Sequence, residues 1–169
     1  MPSPATPAPA APDLERVLAE RAAKLATRRG RHTAPVETRA LLLLKVGEQL
    51  IAFPAREVAE VARLDTFAPV PHAAPYLLGV VNIQNELHSL LSLEKLVGTA
   101  GTGDAPPARA VVLRHPELRL ALACTEVPGV EEIPLTRIQP DGVIQFGAGF
   151  GKLLDTAAVL EALDLPIAP

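Results

Sequence analysis

Leu77 to Leu93 reads LLGVVNIQNELHSLLSL. Two apolar runs flank a short polar break at Gln84-Asn85-Glu86, and this pattern predicts a β-hairpin of two buried strands. Alternation puts Leu77, Gly79, Val81 and Ile83 on one face and Leu78, Val80, Asn82 and Gln84 on the other. A strand apolar on both faces up to its turn belongs inside a barrel or between layers.

Outward from this hairpin the punctuation continues in the same style. Leu41–Val46 and Gln49–Phe53, broken at Gly47-Glu48, read as an earlier hairpin; Pro54 can start a short helix through Arg56 to Val61. Arg63 to Phe67 continues extended into a proline loop. After the central hairpin Ser92 can N-cap a short helix over 93–97, which Gly98 stops. Residues 99–108, with two Gly and two Pro, form a natural boundary between two halves.

The halves repeat. Glu48, Glu57, Val58 and Val61 correspond to Glu117, Glu126, Val127 and Val130, each displaced by 69 positions (117 − 48, 130 − 61). After a shorter connection Gly79, Leu90 and Leu91 correspond to Gly142, Leu153 and Leu154, displaced by 63 (142 − 79). Two similar β-rich lobes are expected, the second with strands near 110–114, 118–124, 130–134, 143–146 and 150–154. Asp155 then caps a final helix.

The stretch from Pro69 and Pro71 to Gly79-Val80-Val81-Asn82-Ile83 resembles the CheW-like domain of bacterial chemotaxis adaptors, over roughly residues 40–165. The resemblance implies a mainly β fold of two side-by-side five-stranded SH3-like barrel lobes with short helices, at about 40–98 and 109–165, with a groove between them. It also implies a non-enzymatic scaffold that couples chemoreceptor cytoplasmic tips to the regulatory domain of a CheA-like histidine kinase, cytoplasmic and recruited to receptor arrays. Transferred by motif position, the partner-binding residues are Val58, Glu60, Val61, Val81, Ile83 and Gln84, with Ile133 and Leu154 from the second lobe.

Three positions depart from the family motif. Asn85 stands for a turn Gly and tolerates a left-handed backbone; Ser92 stands for a capping Asp and accepts the same hydrogen bond. Gln84 stands for an Arg that, by resemblance, forms an ion pair with the acid matching Glu60. Gln donates hydrogen bonds but cannot balance a carboxylate's charge, so a rearranged polar contact is expected there, and with it an adaptor that holds both partners or only one.

Composition narrows the alternatives. Of 169 residues 49% are hydrophobic but only 3% aromatic, with no Trp and one Tyr, so stacking surfaces for single-stranded nucleic acid are scarce. The lone Cys124 cannot form an internal disulfide and fits a reducing compartment. The charge-free stretch Thr66 to Asn85 is broken by Pro69, Pro71 and Pro75 and reads as no membrane span, and the amino end lacks a signal peptide's pattern.

The net charge of −3 is unevenly spread. Residues 1–35 carry six Lys/Arg against three Asp/Glu and the rest ten against sixteen. Residues 1–12, with five prolines, read as a disordered arm. Residues 13–29 read as an amphipathic helix with Leu14, Val17, Leu18, Ala22 and Leu25 on one stripe, and 30–39 as a linker.

Two other function classes compete with this one. One is a small cytoplasmic enzyme with a site near His88 and Glu86; the other is a basic-tail binding module using Arg28, Arg29 and Arg31. His32, His72, His88 and His115 are scattered without the spacing of a zinc site. Gly147 to Lys152 is too short for a phosphate loop and reads as a hairpin turn. No cofactor, metal or catalytic residue is assigned.

Overall fold

Alternating apolar residues between turn signals build ten strands in the computed structural model, which describes residues 36–98, 106–147 and 149–164. The strands are β1 (Thr38–Val46), β2 (Gln49–Pro54), β3 (Val58–Arg63), β4 (Leu77–Ile83), β5 (Glu86–Ser92), β6 (Arg109–Leu113), β7 (Leu120–Cys124), β8 (Glu126–Pro134), β9 (Val143–Phe146) and β10 (Gly149–Leu153). Two short helices follow the central hairpins, α1 (Leu93–Val97) and α2 (Thr156–Ala162). The expected arm at 1–12, helix at 13–29 and the linker up to residue 35 lie outside the described residues. Thr38 and Arg39, placed in the linker from sequence, belong to β1, because their backbones pair with Pro134 and Ile133 of β8.

The caps are those the sequence predicts. Ser92 Oγ accepts from Lys95 N at 3.4 Å, and Gly98 takes the left-handed C-cap conformation at φ 69°. Asp155 Oδ1 accepts from Ala158 N at 2.8 Å. Between β2 and β3, however, the helix expected over Arg56 to Val61 is a single 3-10 turn, Ala55–Glu57, followed at once by β3. The β-branched pair Val58 and Val61 favours the extended chain, and β3 gains a full ladder against β6.

The pairing of the strands corrects the lobes drawn from sequence. One sheet runs β8-β1-β2-β10-β9 and the other β3-β6-β7-β5-β4. Neither is a contiguous half of the chain. Each takes the first two strands of one half and the last three of the other, so residues 40–98 and 109–165 are units of duplication and not of pairing.

The duplication holds residue by residue under this exchange. Ser89 lies opposite Leu120 in the parallel β5–β7 pair, and Lys152 opposite Ile51 in β10–β2, displacements of 63 and 69. Likewise Val61 opposes Val111 and Leu42 opposes Val130.

Each sheet closes on itself. Ala68 and Val80 exchange two backbone hydrogen bonds of 2.8 Å, bridging the chain after β3 to β4, and the Ile138–Ile144 bridge does the same between the chain after β8 and β9. We call the β8-to-β9 sheet barrel A and the β3-to-β4 sheet barrel B. Closure removes most of the sheet edge that an open five-stranded sheet would expose.

Three apolar clusters follow from the two faces of these strands. Leu41, Leu43, Ala52, Ile133 and Ile144 fill barrel A. Leu64, Val81, Ile83, Leu90, Ala110, Val112, Ala121 and Ala123 fill barrel B. The largest cluster lies between the barrels, where Leu42, Leu44, Ile51 and Phe53 meet their duplicates Val111, Leu113, Leu120 and Leu122, with Val159 and Leu160 of α2. The doubly apolar strands read from the sequence are those that serve a barrel interior with one face and this shared core with the other.

Cys124 belongs to the shared core, and burial pushes its thiol up from 9.0 to about 12, with Arg109 acting weakly the other way. A thiol that holds its proton more tightly folded than unfolded contributes stability below pH 9, which is lost as the pH climbs towards 12. The expected slope is at most about 1.4 kcal/mol per pH unit. Urea midpoints measured from pH 8 to 11 should fall more steeply for the natural chain than for Cys124→Ala; parallel slopes would contradict the assignment.

Candidate functional site

The mouth of barrel B is a polar concavity of about 350 Å³ lined by Ala59, Glu60, Ile83, Gln84, Glu86, His88, Val112, Leu113, Arg114, His115 and Arg119. Four segments build it: β3 supplies Glu60, the β4–β5 hairpin Gln84 to His88, β6 its end, and the β6–β7 turn Arg114 to Arg119. The β4–β5 turn is tight. Gln84 and Asn85 both hold positive φ, 51° and 66°, the left-handed pair that a two-residue hairpin with the native twist requires. Asn85 is suited to that backbone; Gln84 occupies it at some conformational cost.

Gln84 and Glu60 are partners. Gln84 Nε2 donates to Glu60 Oε2, linking the end of β4 to β3 across the seam where barrel B closes. The amide satisfies one carboxylate oxygen yet leaves the pair with a net charge of −1, where an Arg would make it neutral. Gln84 is exposed and Glu60 half-buried, so this charge reaches solvent.

The other polar groups of the cleft are also engaged. Glu86 pairs with Arg119 at 3.4 Å, and Arg114 donates to the carbonyl of Val58 at 3.3 Å. His88, 4% exposed, has Nδ1 at 3.1 Å from the carbonyl oxygen of Glu86; since a carbonyl only accepts, Nδ1 carries the proton. His115 Nδ1 accepts from the backbone N–H of Glu117 and Leu118 at 3.2 and 3.0 Å. His88 and Glu86 therefore share a cleft, but the carboxylate faces Arg119 and the ring meets only the Glu86 backbone. The lining residues include no Ser, Thr or Cys that His88 could activate.

The expected partner residues separate into two groups. Glu60, Gln84, Val58 and Val61 lie together on β3 and the hairpin turn, with Val58 half-buried and Val61 41% exposed. Val81 and Ile83 fill barrel B, Ile133 fills barrel A, and Leu154 sits in the shared core, all at most 8% exposed. These four hold the barrels in shape, and their side chains present almost no surface to a partner. The basic cluster Arg28, Arg29 and Arg31 lies outside the described residues.

Arg114 and Arg119 carry no signal in the sequence, and His115 shows there only as one of four scattered histidines. Arg119 reaches the cleft because β7 lies parallel to β5, with Ser89 N donating to the Arg119 carbonyl at 2.8 Å. No local pattern announces that neighbour, since the sequence partner of β7 is β6.

Barrel A carries none of this chemistry. The duplicates of Glu60, Gln84, Glu86 and His88 are Gly129, Gly147, Gly149 and Gly151 (displacements 69, 63, 63 and 63). Space is conserved while chemistry is not: a Cβ on Gly151 would stand 2.7 Å from Cε2 of Phe146, and Phe146 is the duplicate of Ile83. Ring and glycine in one barrel replace Ile and imidazole in the other. Among the described residues no group of His, Cys, Asp and Glu could hold a metal ion, and no helix is long and apolar enough to cross a membrane.

Two closed five-stranded barrels with exchanged strands and one shared core define a double β-barrel domain. The family model of the CheW-like domain matches residues 40–165, and the chain belongs to that family. Among solved structures it is similar to the scaffolding protein TtCheW from Thermoanaerobacter tengcongensis, with a TM-score of 0.61 at 16% identity, over 69% of this chain and 88% of that one. That likeness is one of fold. No curated protein sequence matches the chain.

Proposed function

We propose that this chain is a non-enzymatic cytoplasmic scaffold that couples the cytoplasmic tip of a chemoreceptor to the regulatory domain of a CheA-like histidine kinase. The observation that carries the reading is the CheW-like domain itself over residues 40–165, with the polar mouth of barrel B at the Glu60–Gln84 pair. Signalling through such a protein needs altered contacts and no chemistry on the adaptor. Exposed Val61 and the Glu60–Gln84 pair are the contact residues; Val81 and Ile83 support them from inside barrel B, while Ile133 in barrel A and Leu154 in the shared core hold the domain in shape.

The uncompensated charge on Glu60 sets the expected departure. A partner surface built for a neutral Arg–Glu pair meets an extra negative charge here, and like or absent complementary charge across an interface weakens association. One of the two partners is then held less tightly than the other. Titration calorimetry of the purified chain against a receptor cytoplasmic hairpin, and separately against the kinase regulatory domain, tests the scheme. Binding to neither would overturn it.

Gln84→Arg is expected to strengthen one of those contacts, by roughly ten-fold if the restored ion pair contributes about 1.4 kcal/mol. Arg tolerates the positive φ as well as Gln does, so the fold should be unaffected. Unchanged affinity for both partners would remove Gln84 from the interface.

A further inference from the structure

We propose that the neutral imidazole of His115 is a pH-sensitive latch on the β6–β7 turn, and that its protonation loosens one wall of the barrel B cleft. The turn spans Arg114-His115-Pro116-Glu117-Leu118-Arg119 between two buried strand ends. It is tied down at its edges, where Arg114 N donates to the Glu57 carbonyl at 2.7 Å and the Arg119 carbonyl accepts from Ser89 N at 2.8 Å. Inside the turn the backbone N–H groups of Glu117 and Leu118 both end on His115 Nδ1, at 3.2 and 3.0 Å.

A ring nitrogen that accepts two hydrogen bonds carries no proton, so the latch exists only in the neutral ring with its proton on Nε2. Proton uptake at Nδ1 turns an acceptor facing two donors into a third donor. Both bonds are lost together and the turn must rotate. His88, in the same cleft, is not such a device: its Nδ1 already donates to the Glu86 carbonyl, so a proton arriving at Nε2 breaks no bond.

The charges around His115 come from every wall. The titratable and charged groups that share the cleft are Glu60 on β3, Glu86 and His88 on β5, and Arg114 and Arg119 of the turn, with Glu117 two residues along the chain. Glu60 is bound to Gln84 and Glu86 to Arg119. The device does not depend on the adaptor reading, because its consequences are read in the chain alone.

The test is amide hydrogen exchange of Glu117 and Leu118, followed by NMR on the full chain from pH 8 to pH 5 and corrected for intrinsic exchange, alongside the ring ¹⁵N shifts of His115. The expected result is an unprotonated Nδ1 at pH 8 and a loss of protection of roughly ten-fold or more as the ring takes up its proton. His115→Asn should keep the Glu117 amide protected at every pH, since an Asn side-chain oxygen accepts from the N–H two residues on and does not titrate. His115→Ala should lack protection throughout. A proton on Nδ1 at pH 8, protection unchanged while the ring titrates, a ring that stays neutral to pH 5, or the same pH dependence in His115→Asn would each overturn the proposal.

Discussion

Gly79→Ala is expected to cost about 3 kcal/mol or more and to lower the melting temperature by roughly 10 °C. A Cβ at this position would stand 2.2 Å from the carbonyl oxygen of Ala68 and 2.8 Å from its carbonyl carbon. Both atoms are backbone, so no rotamer change relieves the clash. The chain after β3 would have to withdraw, and the two Ala68–Val80 hydrogen bonds that close barrel B would go with it. Gly142, the duplicate of Gly79, supplies the control. There the nearest atom is 3.5 Å away and the penalty is the positive φ of 79° alone, about 1–2 kcal/mol. Thermal melts of the two variants should differ clearly, and equal losses would mean that the close approach of Ala68 does not close the barrel.

Phe53→Ala is expected to cost about 3–5 kcal/mol, the range for removing a fully buried ring. Phe53 is 0% exposed in the core that both barrels share. Because β2, which carries it, pairs with β1 from its own half and β10 from the other, the cavity weakens contacts that span the whole duplication. The variant should therefore still unfold in one transition. The single tyrosine, Tyr76, packs against the same core, so its fluorescence and far-UV circular dichroism should give coincident urea curves, shifted together. Two separated transitions would mean that the barrels unfold independently despite the exchanged strands.

Much of the fold is legible in the sequence because its signals are local. The alternation in Leu77 to Leu93, the Gly47-Glu48 and Gln84-Asn85 turns, and the Ser92 and Asp155 caps each depend on neighbours within a few residues. The duplication is legible too, since two constant displacements survive in Glu48, Val61, Gly79 and Leu91. The misread helix at Arg56 to Val61 marks the limit of that reasoning. Pro54 is a fair helix start, but the ladder between β3 and β6 outweighs it, and β6 lies about fifty residues further on.

The candidate site was half legible. Glu60 and Gln84 came from motif position, and their contact is a hydrogen bond in the structure. Val81, Ile83, Ile133 and Leu154 came the same way and are buried, because an apolar strand residue does not announce which face its neighbours will cover. His88 and Glu86 were paired from strand alternation, yet the carboxylate turns to Arg119, a residue that strand exchange alone delivers.

The sequence by itself determined the strands, their turns, the caps and the fact of duplication, for these follow from side-chain period, backbone preference and composition over short windows. It also set the one substitution on which the proposed interface turns, the neutral amide of Gln84 in place of a cation. Only the tertiary structure decided which strands pair, because β2 and β5 each meet a parallel partner from the other half. That exchange sets Glu60, Gln84, Glu86 and His88 against four glycines at the duplicate positions of the other barrel, and it brings the His115 turn beside β3 and Arg119 beside β5. Hydrogen-bond ladders between distant segments depend on burying both apolar faces of every central strand at once, and no window of sequence contains that condition.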